Sequence, residues 1–135
     1  CTIVHTDYRL DNMLFDAKGG VVPLAILDWQ TVACGSGPLD VAYFLGLNIA
    51  ADVRRARESE FLGFYMEQLK LHGVADFSRD EMEREYRIGA YYGLFTAIVG
   101  SCVAKRTPRG DQMFMVMARG AGRQMLDLDT LHSLG

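Results

Sequence analysis

The chain has 135 residues, half of them hydrophobic, and its formal net charge at pH 7 is −3. This length fits one domain with a respectable core. The near-neutral charge argues against a nucleic-acid partner, which requires a basic face, and against a basic membrane-binding segment. No stretch approaches the roughly 18 continuous apolar residues of a membrane span, and no signal peptide is recognisable.

The cysteines carry little functional signal. Cys1, Cys34 and Cys102 are odd in number and form no CxxC pair. This pattern predicts reduced thiols in a cytoplasmic protein. The sequence also begins inside an apolar run rather than at a methionine, which we interpret as a fragment of a longer protein.

The first part of the chain predicts short strands. Residues 2–4 form the first strand, and residues 5–12 form a polar, charged loop. Residues 13–15 and 21–27 predict two more strands. The DAKGG sequence between them predicts a hairpin turn, because glycine takes positive φ at no steric cost. The Gly-rich residues 31–38 predict a loop.

The rest of the chain predicts helices. In chain order they cover residues 39–51, 54–72, 78–104 and 111–134. Gly73 is placed to end the second helix, the SRDE sequence from Ser78 is a capping box for the third, and Asp111 is the predicted cap of the fourth. The layout is a small β element followed by a bundle of four helices.

Two groups of side chains on these helices allow a structural interpretation. The second helix carries arginines that predict an exposed face: Arg54, Arg55 and Arg57. The third helix carries an aromatic stripe: Tyr86, Tyr91, Tyr92 and Phe95. Helical spacing favours a core role for the stripe, while contact of some rings with a substrate is the alternative.

The most informative residues lie near the start. Asp7 and Asn12 are five apart in the loop between two predicted strands, and Asp28 ends an apolar strand sixteen residues later. Phosphoryl transfer needs a carboxylate that orients the attacking hydroxyl and oxygen ligands that hold magnesium. Loops that leave hairpin partners lie side by side, so these three side chains are expected to converge.

Three segments carry a resemblance to a known group. Residues 5–15, HTDYRLDNMLF, resemble the catalytic loop of the aminoglycoside phosphotransferase and choline kinase group. Residues 25–29, AILDW, resemble its metal loop. Residues 35–43, GSGPLDVAY, resemble the Gly-x-Pro-x-x-Asp-Leu-Ala segment that follows, in a form closer to the choline-kinase-like and ecdysteroid-kinase-like branch.

The resemblance implies a fold and an activity. The chain is similar to the C-terminal lobe of the protein-kinase-like fold, an α+β and mostly α architecture in which residues 1–135 form one lobe. The parent would be an ATP-dependent phosphotransferase. No Gly-rich phosphate loop, strand lysine or adenine hinge is present, so the N-terminal ATP-binding lobe is expected to be absent and the isolated chain inactive. An apolar lobe interface would then be open to self-association.

The resemblance also implies roles for single residues. Asp7 would be the catalytic base or the residue that orients the hydroxyl, and Arg9 would help to neutralise the transferring phosphoryl group. Asn12 and Asp28 would bind Mg²⁺ and, through it, ATP.

Supporting roles follow in the same way. His5 would brace the catalytic and metal loops, and Asp40 would hold the catalytic loop to the start of the next helix. Only nine residues separate Asp28 from Pro38. This interval leaves no platform for a peptide, so the expected partner is a small molecule with a hydroxyl group.

Two other functions remain open from the sequence. A pseudokinase-like binding module would hold a ligand without turnover. A metal-dependent hydrolase would use His5, Asp7 and Asp28, but such sites usually draw on several histidines. His72 and His132 lie far along the chain in predicted helices, which makes the hydrolase the weaker alternative.

Overall fold

A computed structural model describes the backbone of residues 1–134 and the side chains of residues 1–132. The strands are β1 (Thr2–Val4), β2 (Met13–Ala17), β3 (Val22–Ile26) and β4 (Ala33–Gly35). The helices are α1 (Gly37–Asn48), α2 (Ala51–Leu71), α3 (Arg79–Val103) and α4 (Pro108–Asp127). The α+β, mostly α fold class is confirmed. None of the helices within residues 1–134 combines the length and hydropathy needed to cross a membrane.

The strands form two small antiparallel sheets. β1 pairs with β4, and β2 pairs with β3. The prediction of a loop over residues 31–38 was therefore wrong for β4. The three residues of β4 are too few to show a period, and its partner β1 lies about thirty positions earlier, so only the tertiary pairing defines this strand.

The predicted hairpin turn between β2 and β3 is confirmed. The carbonyl group of Asp16 accepts a hydrogen bond from the backbone N–H of Gly20 at 3.0 Å. Gly19 and Gly20 have φ values of +68° and +87°. These values lie in the left-handed region, where glycine avoids the clash that a side chain would cause.

The β1–β4 pair also overturns the expectation for two cysteines. Cys1 and Cys34 are joined by a disulfide, with their Cα atoms 6.1 Å apart. This separation is within the range that a disulfide spans. The expected reduced state holds for Cys102, which is free and exposed. The pairing could not be derived from sequence because it depends on the missed strand.

The helix boundaries follow the capping chemistry. The capping box at Ser78 is present, and Gly73 follows the second helix with φ +87° as predicted. The fourth helix begins earlier than predicted, because Thr107 rather than Asp111 is its cap. The Thr107 hydroxyl accepts from the backbone N–H of Gly110 at 3.0 Å. Threonine before proline is a favourable helix start, and the sequence TPRG contained that signal.

Helix α1 lies at the centre of the bundle and packs against the other three helices and β1. The buried side chains of the core form two clusters. One consists of Ala42, Leu45, Leu62, Met66, Met82 and Tyr86, and the other of Tyr43, Ala97 and Met117. Because α1 contributes to both clusters, anything attached to α1 is held by the whole core.

The prediction that Arg54 lies on an exposed face was wrong. Its side chain is only 1% exposed and is bonded to Glu58 at 2.6 Å and to Asp127. The hydroxyl of Tyr86 donates to Glu58 at 2.7 Å and accepts from Gln124 at 2.9 Å. A buried arginine requires such partners. Glu58 lies on α2 and Asp127 on α4, and Tyr86 on α3 joins the network through Glu58. The other two arginines of the set are about half exposed.

Apolar side chains are exposed on the β2–β3 hairpin. Leu14, Phe15, Val21 and Leu24 are each more than 40% exposed, and Val21 reaches 80%. Phe15 and Leu24 are cross-strand partners and share one side of the hairpin, whereas Leu14, the neighbour of Phe15 in β2, points to the other side. We call Phe15 and Leu24 the hairpin face. They form an exposed apolar pair of the kind that contacts another protein surface.

The crossing of α1 and α4 predicts the effect of two glycine substitutions. A Cβ atom at Gly120 would lie 2.5 Å from the backbone oxygen of Gly46, whereas a Cβ atom at Gly122 meets nothing within 4 Å. Gly120→Ala is expected to lower the free energy of unfolding by about 1–3 kcal/mol, because one helix must move. Gly122→Ala, on the same helix, is expected to raise it by up to about 1 kcal/mol. Urea unfolding measures both, and equal effects would contradict this account of the crossing.

Candidate active site

The loop after β1 is fixed by one carboxylate on α1. Asp40 accepts hydrogen bonds from the backbone N–H groups of His5 at 2.6 Å and Thr6 at 2.9 Å. Each bond to a charged acceptor is worth about 1.5–3 kcal/mol. Thr6 has φ +65°, which is unusual for a β-branched residue. The two bonds to Asp40 therefore hold the loop in a conformation that the chain would not otherwise prefer.

A second set of bonds joins this loop to the segment after β3. The hydroxyl of Thr6 donates to the carbonyl oxygen of Thr31 at 2.7 Å. The hydroxyl of Thr31 donates to the carbonyl oxygen of His5 at 3.2 Å. The two threonines thus form a clasp of two reciprocal hydrogen bonds between the loops, and the sequence analysis did not predict it.

His5 bridges the two loops through its ring. It is 1% exposed, and its Nδ1 accepts from the backbone N–H of Asp7 at 3.2 Å. Because Nδ1 accepts, Nε2 carries the proton and donates to the carbonyl oxygen of Leu27 at 2.7 Å. The Trp29 ring packs 4.7 Å from the imidazole. These contacts place His5 between the predicted catalytic and metal loops.

The carboxylate of Asp7 is oriented by three donors. The hydroxyl of Tyr43 donates to Oδ1 at 2.8 Å, and Nδ2 of Asn12 donates to Oδ2 at 2.8 Å. Nε of Arg9 lies 3.1 Å from Oδ1. The side chain of Asp7 is 25% exposed. Its carboxylate is therefore fixed from inside the protein and still open to a ligand.

Asn12 and Asp28 lie next to each other at the open end of the hairpin. Nδ2 of Asn12 also donates to the backbone carbonyl of Asp7, so Oδ1 points elsewhere and has no hydrogen-bond partner within the described residues. The backbone N–H of Leu27 donates to the carbonyl oxygen of Asn12 at 2.8 Å, which brings the next residue, Asp28, beside Asn12.

The donor set of these two residues suits a hard cation. Asp28 is exposed and adopts a left-handed conformation with φ +61°. Its carboxylate takes part in no hydrogen bond or ion pair with any described side chain. One amide oxygen and one free carboxylate are ligands that Mg²⁺ accepts, since it keeps several waters and uses substrate phosphates for the rest. Asn12 and Asp28 therefore fit the magnesium role that the sequence implied.

The hydrolase alternative gains no support from the geometry. Both ring nitrogens of His5 are committed to backbone groups, so neither has a lone pair for a metal. Over the described part of the chain, no cluster of three or more His, Cys, Asp or Glu side chains could hold a metal ion. A His5–Asp7–Asp28 metal site would have to break the bridge between the two loops.

Arg9 connects the loop to the last helix. Its Nη1 donates to Asp11 at 3.1 Å and lies 3.1 Å from Sδ of Met113 on α4. Together with the contact to Asp7, this holds the guanidinium group at the mouth of the site. The guanidinium group of Arg9, to which the resemblance gives a role in phosphoryl transfer, therefore lies next to Asp7, the predicted base.

Tyr43 is a site residue that the sequence analysis did not assign. It is 1% exposed and contacts Asp7 from within the core. Burial raises the pKa of its hydroxyl, and the charge of Asp7 raises it further. The sequence contains a signal for this role, because Tyr43 lies one helical turn after Asp40 and a buried tyrosine hydroxyl needs a polar partner.

An open cleft of about 650 Å³ lies between the catalytic loop and α4. Residues that line it include Arg9, Asp11, Asn12, Asn48, Arg109 and Met113. This size is in the range of small-molecule sites. Arg9 and Asn12, the predicted catalytic and metal-binding residues, therefore line a cleft of a size that suits a small molecule.

The aromatic stripe of α3 divides between the core and the surface. Tyr86 is 1% exposed, and the Tyr92 ring packs 5.8 Å from the Tyr43 ring. Phe95 is 59% exposed. None of the four rings lines the cleft beside the catalytic loop. The core interpretation therefore holds for Tyr86, while Tyr92 supports the site indirectly through Tyr43.

Comparisons with known proteins agree with the resemblance. A family model described as "Ecdysteroid kinase-like family" matches residues 1–73, a stretch that contains both loops, α1 and α2. Mouse acyl-CoA dehydrogenase family member 10 is 48% identical over 42 residues, which are 31% of this chain and 4% of that protein. The chain thus spans a small part of this relative. No solved structure matches significantly.

The role of Asp40 predicts a local loosening in one variant. In Asp40→Asn, an amide NH₂ group replaces one of the two oxygens that face backbone N–H donors, so one donor loses its acceptor. We expect a loss of about 1–3 kcal/mol of stability and faster hydrogen exchange at the amides of His5 and Thr6. The control is Asp52→Asn at the exposed start of α2, which should cost less than about 1 kcal/mol. Unchanged exchange at both amides would contradict this role.

The raised pKa of Tyr43 predicts a pH dependence of stability. Below about pH 10, the pKa of an unfolded tyrosine, both states keep the proton and this contribution is constant. Above it, the unfolded state ionises while folded Tyr43 does not, so stability falls as pH rises. Each such tyrosine contributes a slope of about −1.4 kcal/mol per pH unit. Tyr43→Phe should therefore show a shallower decline in urea unfolding at alkaline pH; an identical slope would exclude this contribution.

Proposed function

Because the chain belongs to the ecdysteroid kinase-like family, we propose that it is the catalytic lobe of an ATP-dependent phosphotransferase whose acceptor is a hydroxyl group of a small molecule. The family itself indicates a kinase-like phosphotransferase. The observation that carries the finer proposal is the Asp7 carboxylate, which is 25% exposed and is fixed by Tyr43, Asn12 and Arg9; two of these partners, Asn12 and Arg9, line the cleft.

In this proposal Asp7 orients the acceptor and receives its proton. The acceptor oxygen forms a bond to the γ-phosphorus of ATP, the bond from that phosphorus to the bridging oxygen of ADP breaks, and the acceptor proton passes to Asp7. Tyr43 and Asn12 keep the carboxylate in one orientation during this step. Positioning of this kind is the main contribution a protein makes to phosphoryl transfer.

Charge at the site is handled by neighbouring groups. Asn12 and Asp28 would hold magnesium, which supplies neutralisation of the phosphate charges when it is bound. Arg9 would stabilise negative charge on the transferred group, because its guanidinium lies within 3.1 Å of Asp7. His5 and Asp40 act as positioning residues, since they fix the backbone N–H groups of residues 5–7 from inside the protein.

The complete protein would add an ATP-binding lobe to the lobe described here. The hairpin face is apolar and exposed, and it lies on the element that carries Asn12 and Asp28 at its ends. We propose that the ATP-binding lobe covers this face and brings nucleotide to the two metal ligands. An isolated chain would leave the same face open to self-association.

A binding module without turnover is the second candidate. One observation favours it: Arg9 closes on Asp7 and Asp11, so the predicted base is already engaged. A module that only binds a ligand could keep this arrangement permanently. A phosphotransferase must let the acceptor hydroxyl reach Asp7, and this difference can be tested by turnover.

The test is phosphoryl transfer by the complete gene product with Mg²⁺-ATP and a panel of small alcohols. Asp7→Asn should lower kcat by about 10²–10⁴, because it removes the group that accepts the proton. The matched control is Asp16→Asn, the same chemical change at an exposed residue near the end of β2, which should leave kcat unchanged. Residues 1–135 alone should be inactive.

Two outcomes would contradict the proposal. Equal turnover of Asp7→Asn and the unaltered protein would remove Asp7 from the reaction. Magnesium-dependent binding of a non-hydrolysable ATP analogue, measured by calorimetry, without any transfer to the panel or to water would favour the binding module.

A further inference from the structure

One wall of the cleft beside the catalytic loop is a single face of α4. The residues that form it recur with helical spacing: Arg109, Gln112, Met113, Val116 and Met117. This is the i, i+3, i+4, i+7, i+8 pattern of one side of a helix. Arg9 touches this wall at Met113, so the wall directly faces the catalytic loop.

The polar groups of the opposite wall already have partners. Arg9 is bonded to Asp11 at 3.1 Å as well as to Asp7. The Asn48 side chain accepts from the backbone N–H of Leu10 and donates to the carbonyl oxygen of Phe44, each at 3.0 Å. These groups are committed to holding the loop and are not free to select a ligand.

The polar side chains of α4 that line the cleft have no such partners. The side chains of Arg109 and Gln112 form no hydrogen bond or ion pair with any group that the structure describes. They lie one turn apart at the start of α4, where a ligand in the cleft reaches both. Further along the cleft the lining is apolar, with Val116 and Met117 on α4 and Leu47 on α1.

The charges of the cleft favour one kind of acceptor. Asp11 is the one carboxylate among the described lining residues, and it shares Arg9 with Asp7. Arg109 has no carboxylate partner among the described residues. A cationic group beside Arg109 would meet a like charge, whereas an anionic group there would gain a charge-assisted, bidentate contact.

We propose that Arg109 determines acceptor specificity, and that the acceptor is an alcohol that carries a carboxylate or another oxyanion on an apolar skeleton. The oxyanion binds Arg109 with help from Gln112, the skeleton lies along the apolar lining, and the hydroxyl group points towards Asp7. This inference rests on the proposed function, because it takes the cleft as the acceptor site of that reaction.

The test uses three probes of equal length that differ at one end: 6-hydroxyhexanoate, 1,6-hexanediol and 6-amino-1-hexanol. Binding to the complete gene product is measured by saturation-transfer NMR and calorimetry without nucleotide, so the readout does not depend on turnover. We expect 6-hydroxyhexanoate to bind most tightly and 6-amino-1-hexanol most weakly. Equal binding of the three probes, or no binding of the carboxylate probe, would overturn the proposal.

Two arginine variants separate a specific contact from general charge. Arg109→Gln should weaken binding of 6-hydroxyhexanoate by about tenfold or more, the loss of one charge-assisted contact, and leave 1,6-hexanediol unchanged. Arg119→Gln is the control, because it removes the same charge from an exposed position of α4 outside this cleft. Equal losses in the two variants would show a non-specific charge effect and overturn the proposal.

Failure of the two proposals gives different results. If the carboxylate probe binds through Arg109 but is never phosphorylated, the phosphotransferase proposal fails and the specificity site stands. If the diol and the amino alcohol are phosphorylated as efficiently as the hydroxy acid, and Arg109→Gln changes none of the rates, the reaction stands and the specificity proposal fails.

Discussion

The contact between the Asp40 carboxylate and the backbone of His5 and Thr6 links the core to the chemistry. Asp40 belongs to α1, the helix that packs against all other helices and β1. The loop it holds contains Asp7, and between β1 and a 3-10 turn at Leu10–Asn12 that loop has no regular structure to define its path. Its geometry at Asp7 therefore depends on a charged side chain presented by a helix that is packed on all sides.

The same helix supports the site a second time. Tyr43 follows Asp40 by one turn and reaches Asp7 with its hydroxyl, while its ring packs in the core cluster with Ala97 and Met117. One helix face thus fixes both the backbone and the carboxylate of the loop. His5 connects the loop to the segment that carries Asp28, because its ring bonds the carbonyl oxygen of Leu27. The core thus holds the catalytic loop through α1, and the catalytic loop holds the segment of Asp28 through His5.

Much of this could be predicted from local patterns. The hairpin turn, the capping box at Ser78 and the closeness of Asp7 and Asn12 follow from turn chemistry, capping and motif spacing, which act over a few residues. The misses share a different cause. The Cys1–Cys34 disulfide spans 33 positions, and the Arg54–Asp127 pair spans 73. When the partner of a polar residue is that distant, the local sequence contains no sign of it, so the pattern around Arg54 predicts a surface residue.

The positive φ of Thr6 has a consequence for how this protein can be altered. A β-branched residue in the left-handed region costs on the order of 1–3 kcal/mol, and glycine would remove that cost. Glycine would also remove the hydroxyl that closes the clasp with Thr31. Selection for thermal tolerance and selection for turnover should therefore favour different residues at position 6. A library randomised at position 6 would separate the two demands, with glycine enriched under heat and threonine under a requirement for catalysis.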